Sequence, residues 1–144
     1  MKKQSDGWKM VILVIVIVFG AFAAHWGAKA VEAFTADDVA NKIETVTGML
    51  VFKMEGCGYC KDLDANVLSK LKGDSDKIII VERGTPEGDK LIDKWNVKGF
   101  PTIFFLKNGQ KMLPPGSGDN GEYVGPRDLD TIKGHLKTVV QGYS

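Results

Sequence analysis

The chain has 144 residues, 44% of them apolar and 26% charged, and a formal net charge of +1. That is an ordinary globular balance, long enough for one domain and a small appendage. Near-neutral charge and the lack of a basic patch with interleaved aromatics argue against nucleic acid as a partner.

The charge is uneven along the chain. Residues 1–30 hold Lys2, Lys3, Lys9 and Lys29 against Asp6, a net of +3, which leaves −2 for residues 31–144. The three lysines before residue 10 precede Met10–Ala24, MVILVIVIVFGAFAA, a run without a charged or polar side chain. Extended from Trp8 to Ala28 it is 21 residues, and a helix of that length covers a hydrocarbon core of about 30 Å. Trp8 and Trp26 stand near its ends, where indoles favour the interface. Met10–Gly20 offers no polar face for a buried soluble helix. Residues 1–30 are therefore expected to be a signal-anchor, spanning the membrane through residues 8–28 with the N-terminus cytoplasmic. The alternative is a secretory signal cleaved after one of two A-x-A patterns, Ala21-Phe22-Ala23 or Ala28-Lys29-Ala30. Either way residues 31–144 are expected outside the cytosol, in periplasm, extracellular space or ER lumen, where disulfides persist.

Residues 35–46, TADDVANKIETV, read as a helix capped by Thr35, with Val39, Ile43 and Val46 on one face. MLVFKM, 49–54, reads as a strand. After the cysteine loop, Cys60, Leu63, Val67, Leu68 and Leu71 recur at helical spacing up to Gly73. KIIIVE, 77–82, is apolar without alternation, the pattern of a strand covered on both faces. Pro86 opens a further helix that buries Leu91, Ile92 and Trp95. TIFFL, 102–106, is another buried strand, and Lys107-Asn108-Gly109 signals a hairpin out of it. A Gly- and Pro-rich loop, 114–122, leads to a closing helix with Leu129, Ile132, Leu136, Val139 and Val140 inward. The order α, β, α, β, α, β, β, α implies an α/β fold: a mainly parallel sheet of about four strands, helices on both faces and an antiparallel edge.

Cys57 and Cys60, within MEGCGYCKDL, are the only cysteines. A closed zinc site needs four ligands, and only His25 and His135 are available to join them. A structural staple is a poor reading, because a ring of so few residues removes little unfolded-chain entropy. The redox reading fits. Cys57 follows a strand and Cys60 falls in the first turn of a helix, neighbouring positions about 5–6 Å apart. Cys57 would then meet free backbone N–H groups and the positive end of the helix dipole, both of which lower a thiol pKa. Lys53 and Lys61 add cationic potential if they point that way. Gly56 and Gly58 leave the approach open, and Tyr59 offers an aromatic rim. In GFPT, 99–102, Pro101 must sit at a strand start or edge, and from the residues alone a trans bond is the ordinary expectation.

The pairing of CGYC with WNVKGFPTIFFLKNG resembles the thioredoxin-like superfamily, thioredoxins and protein disulfide isomerase domains above all, over residues 35–140. The resemblance implies a thioredoxin-like α/β fold over residues 31–144, with a mixed central sheet of about four strands and helices on both faces, in which Cys57 is the attacking thiolate and Cys60 the resolving thiol. It also implies that Pro101 is cis and packs against their disulfide, and that Phe100 and Thr102 offer backbone to a substrate chain. Gly58 and Tyr59 complete the expected substrate surface. Tyr123-Val124-Gly125-Pro126-Arg127 is similar to a structural segment of the family. Two departures stand out. Gly-Tyr separates the thiols, similar to bacterial periplasmic disulfide isomerases. Val51 holds the place of the family's buried acid, so proton transfer from Cys60 falls to water or another acid such as Glu55.

The expected function is a membrane-anchored thiol–disulfide oxidoreductase that exchanges disulfides with protein substrates and is recycled by a separate redox partner. It needs no metal or organic cofactor. Two alternatives differ in class. One is a thioredoxin-like binding module in which the disulfide is incidental. The other is a glutaredoxin-like, glutathione-linked protein, for which GSGD, 116–119, is a faint signal.

Overall fold

Apolar runs at strand and helix spacing become four strands and four main helices in a computed structural model that describes residues 36–142. The expected anchor over residues 8–28, and Thr35, lie outside the described residues. Among those described, no helix is long and apolar enough to cross a membrane. In chain order the elements are α1 (Ala36–Thr45), β1 (Gly48–Lys53), α2 (Gly58–Asn66), β2 (Ile78–Glu82), α3 (Pro86–Lys94), β3 (Thr102–Lys107), β4 (Gln110–Met112) and α4 (Leu129–Gln141).

The sheet order is β2-β1-β3-β4. β1 and β2 run parallel, Met49 opposite Ile78. β3 is antiparallel to both β1 and β4, with Leu50 opposite Phe104 and Phe105 opposite Met112. The sheet is thus mixed, as the resemblance implies, and only β1 and β2 pair parallel, fewer than the strand–helix alternation alone suggests. TIFFL is buried because helices cover both faces, which says nothing of strand direction. Asn108 and Gly109, at φ 50° and 75°, form the two-residue turn between β3 and β4, as an Asn-Gly pair favours.

Two apolar layers flank the sheet. On one face Met49, Val51, Ile103 and Phe105 meet Leu63 of α2, Tyr123, and Ile132, Leu136 and Val139 of α4. On the other, Leu50, Phe52, Phe104 and Leu106 meet Ile43 of α1 and Leu91 of α3. The side-chain period of two in β1 and β3 feeds both layers. Strand β2 departs from the reading of KIIIVE as covered on both faces: Ile79 and Val81 are buried, but Ile80 is 44% exposed. Among the described residues β2 is an outer strand, and the layer of α2 and α4 does not cover Ile80.

The helix that follows the cysteines is shorter than its apolar spacing suggests. It ends at Asn66, and Val67 leaves helical geometry at φ −125°. Two 3-10 turns, Leu68–Lys70 and Lys72–Lys77, follow. Ser69 Oγ donates to the Ala65 carbonyl, a bond of the kind that bends helices. The tightened turns still deliver Leu71 to the core, so the spacing survives the break.

Caps set the other starts. Thr85 Oγ1 accepts from Gly88 N ahead of Pro86. Asp128 accepts from Thr131 N at 2.9 Å and from its hydroxyl at 2.7 Å. These bonds, the backbone one first, hold the Asp128 carboxyl below its ordinary range. A depressed native pKa stabilises the fold above the ordinary aspartate value, and that contribution fades as pH falls through the lowered value. Asp128→Ala is therefore expected to lower the melting temperature by a few degrees at neutral pH. The gap to wild type should close in acid; a gap constant with pH would rule the cap out as its cause.

Candidate active site

The cysteines stand where β1 hands over to α2. Gly56, at φ 76°, turns the chain after the strand, a backbone that glycine adopts without strain. Cys57 is the N-cap of α2, and its sulfur accepts from Cys60 N at 3.1 Å. The first turn of α2 carries no acidic side chain to oppose a negative sulfur. Cys57 and Cys60 are joined by a disulfide, with Cα atoms 5.2 Å apart. The two are unequal: Cys57 is partly exposed, while Cys60 is 2% exposed.

The loop before β3 closes over the pair. The Phe100–Pro101 peptide is cis, and the Phe100 carbonyl oxygen lies 3.6 Å from Cys57 Sγ. Pro101 is buried, and Thr102 Oγ1 donates to the Gly99 carbonyl at 2.7 Å. Thr102 stands opposite Phe52 in the sheet register. Tyr59 is 77% exposed beside the cysteines, and a Cβ built on Gly56 or Gly58 would meet nothing within 4 Å. The approach to Cys57 is therefore open. A cleft of about 340 Å³ runs along Gly99–Thr102 toward Val124 and Arg127.

Asp64, Glu82 and Arg83 were not legible as groups near the pair, whereas Lys53, Val51 and Glu55 were named from the sequence. Lys53 faces carboxylates: its Nζ lies 2.8 Å and 3.0 Å from the two oxygens of Asp64 and 3.7 Å from Glu82. Arg83 places its guanidinium 5.7 Å from the centre of the Phe100 ring. Val51 is fully buried in the core, and Glu55 is exposed. His135, weighed as a metal ligand, packs instead against the rings of Phe105 and Tyr123. Tyr123 is itself buried and donates to the Pro126 carbonyl at 3.1 Å. Burial raises its phenol above the ordinary range, as suits a structural tyrosine.

The thioredoxin family profile matches residues 30–138, about three quarters of the chain. The chain belongs to the thioredoxin family. Among its relatives, protein disulfide-isomerase of Oryctolagus cuniculus is 30% identical over 126 residues, covering 81% of this chain and 24% of that protein. The Hordeum vulgare protein disulfide-isomerase is 28% identical, covering 94% of this chain and 28% of that protein. This thioredoxin-family chain thus spans about a quarter of the length of those relatives. Oxidised thioredoxin O2 of Arabidopsis thaliana shares the fold, with a TM-score of 0.53, 20% identity and coverage of 72% of this chain and 88% of that one. Within the thioredoxin domain the CxxC pair is intact and joined as a disulfide.

Proposed function

We propose that this protein is a membrane-anchored thiol–disulfide oxidoreductase that exchanges disulfides with protein substrates outside the cytosol. The observation that carries the redox part is the Cys57–Cys60 pair at the N-terminus of α2, facing the carbonyl before cis-Pro101. The helix terminus favours a thiolate on Cys57, and the open surface at Gly56, Gly58 and Tyr59 admits another chain. Support for the anchor and the compartment comes from the apolar run Met10–Ala24 and its lysine flank.

In the reductive direction the Cys57 thiolate attacks one sulfur of a substrate disulfide. The substrate's S–S bond breaks, a mixed disulfide forms, and the other substrate sulfur leaves as a thiolate. Cys60, once deprotonated, then attacks Cys57 and expels the second substrate sulfur. The pair gives up two electrons and the substrate gains them. Oxidation of a substrate dithiol runs the same steps backward, with direction set by the partner that recycles the pair. Extended substrate chain would lie along Phe100–Thr102, with exposed Gly58 and Tyr59 adding to the surface beside Cys57.

The test is capture. A full-length Cys60→Ser chain in its native membrane lacks the resolving thiol and is expected to accumulate mixed disulfides with extracytoplasmic proteins, released by reductant. Partners held equally well when both cysteines are serine would instead identify a binding module.

A further inference from the structure

Cys60 must lose a proton before it can attack Cys57, yet at 2% exposure its sulfur has almost no direct access to bulk water. Cys60 is nonetheless among the residues that line a cleft of about 230 Å³. Lys53, Asp64 and Glu82 line it too, joined by Glu55 and Lys61. Liquid water takes about 30 Å³ per molecule, so several fit. Met54 also lines this space, and Arg83 reaches its sulfur at 3.8 Å.

Of the three carboxylates, Asp64 is the best placed. It stands four residues after Cys60 on α2, hence on the same helix face. Lys53 holds both its oxygens at 2.8 Å and 3.0 Å from an ammonium whose side chain is only 13% exposed. Glu82 is 66% exposed and reaches Lys53 only at 3.7 Å. Glu55 is exposed, with no such clamp shown. We propose that Asp64, fixed by Lys53, accepts the Cys60 proton through water in this cleft. The inference rests on the redox reading above and adds to it the route by which the second thiol is activated.

The step balances as follows. The Cys60 S–H bond breaks and its proton passes to the Asp64 carboxylate. The Cys60 sulfur forms a bond to Cys57 Sγ, while the Cys57–substrate S–S bond breaks. The departing substrate thiolate takes up a proton from the Asp64 acid, which returns to carboxylate.

A carboxylate with a purely electrostatic presence would have the opposite effect. Its negative charge disfavours the Cys60 thiolate, so removing it would speed the attack. Removing a proton acceptor slows the attack. The sign of the effect therefore decides.

The experiment uses the reduced full-length chain and an aromatic disulfide whose released thiolate absorbs visible light. The first release reports attack by Cys57 and the second reports resolution by Cys60. General-base assistance is worth about 10²–10⁴-fold, and solvent can partly substitute, so Asp64→Asn is expected to slow the second phase about tenfold or more at pH 7. The first phase should stay near wild type. The deficit should shrink as pH rises and solvent base takes over, and Asp64→Glu should recover most of the rate. Lys53→Met, which unclamps Asp64, should also slow the second phase selectively. A second phase in Asp64→Asn equal to or faster than wild type between pH 6 and 9 overturns the proposal. If that variant does not fold, an unchanged second phase in Lys53→Met overturns it equally. A wild-type chain with no rapid first phase would instead remove the redox reading itself.

Discussion

Cys57→Ser is expected to drop disulfide exchange to the uncatalysed background while leaving the fold intact. The nucleophile in this chemistry is a sulfur anion. An ordinary thiol titrates near 8.5, and a helix N-terminus lowers that value. A serine hydroxyl is a far weaker acid than a thiol, so its anion is vanishingly scarce at neutral pH and the variant has no comparable nucleophile. Cys60 offers little rescue, because it is 2% exposed and cannot readily meet a substrate disulfide. Structural loss should be small: Cys57 is partly exposed, and serine still provides an N-cap oxygen for Cys60 N. Insulin reduction by the full-length chain, with circular dichroism as the folding control, checks both halves. Exchange at the wild-type rate in a folded Cys57→Ser chain would leave the site with no catalytic role.

The contrast between what the sequence showed and what it concealed follows from the range of each interaction. Local signals were legible. Asn108-Gly109 announced a two-residue turn because only a few residue pairs tolerate positive φ in succession, and Pro86 announced a helix start. The CxxC spacing and the strand-to-helix transition placed Cys57 at an N-cap without any knowledge of tertiary structure. Long-range relations were not legible. Nothing in Ile78, Ile79 and Ile80 says that the strand is outermost, since three consecutive isoleucines look the same at an edge as in a centre. Nothing in TIFFL says that β3 runs against β1. Helix α2 stops at Asn66 although Leu63, Val67 and Leu71 keep their spacing, because 3-10 turns can carry the same inward rhythm.

The site divides in the same way. The cis state of Phe100–Pro101 came from resemblance; the residues alone favoured trans. Lys53 was noted as a source of positive potential near the thiols. Its partners Asp64 and Glu82 lie 11 and 29 positions away, on α2 and β2, and became visible only when the sheet brought those elements together. With two carboxylates beside it, Lys53 has much of its charge offset near the cysteines. Its consequence for the chemistry passes through Asp64, at the resolving thiol.

The core prediction with the largest effect concerns Phe104. This residue is fully buried at the centre of β3, opposite Leu50, on the face covered by α1 and α3. Its ring lies 5.0 Å from the ring of Trp95 and 6.0 Å, edge-on, from that of Phe52. Lys111 completes the cluster, with Nζ 4.7 Å above Phe104 and 5.1 Å above Trp95. That ammonium donates to the Asn120 carbonyl, and the Asn120 amide donates to the carbonyl of Trp95. The aromatic cluster thus ties the loop before α4 to the end of α3, beside the segment that presents Pro101. Phe104→Ala removes a core ring and leaves a cavity, a change of about 3–5 kcal/mol, and forfeits about 0.5–1 kcal/mol of cation–π attraction. Domains of this size have only about 5–15 kcal/mol in total, so the variant should be marginal or unfolded at 37 °C. Phe104→Leu keeps most of the volume and should lose less than about 1.5 kcal/mol. Urea titration followed by far-UV circular dichroism separates the two. A Phe104→Ala chain within 1.5 kcal/mol of wild type would mean that the core relaxes around the missing ring, and that the aromatic cluster does not hold the Pro101 loop in place.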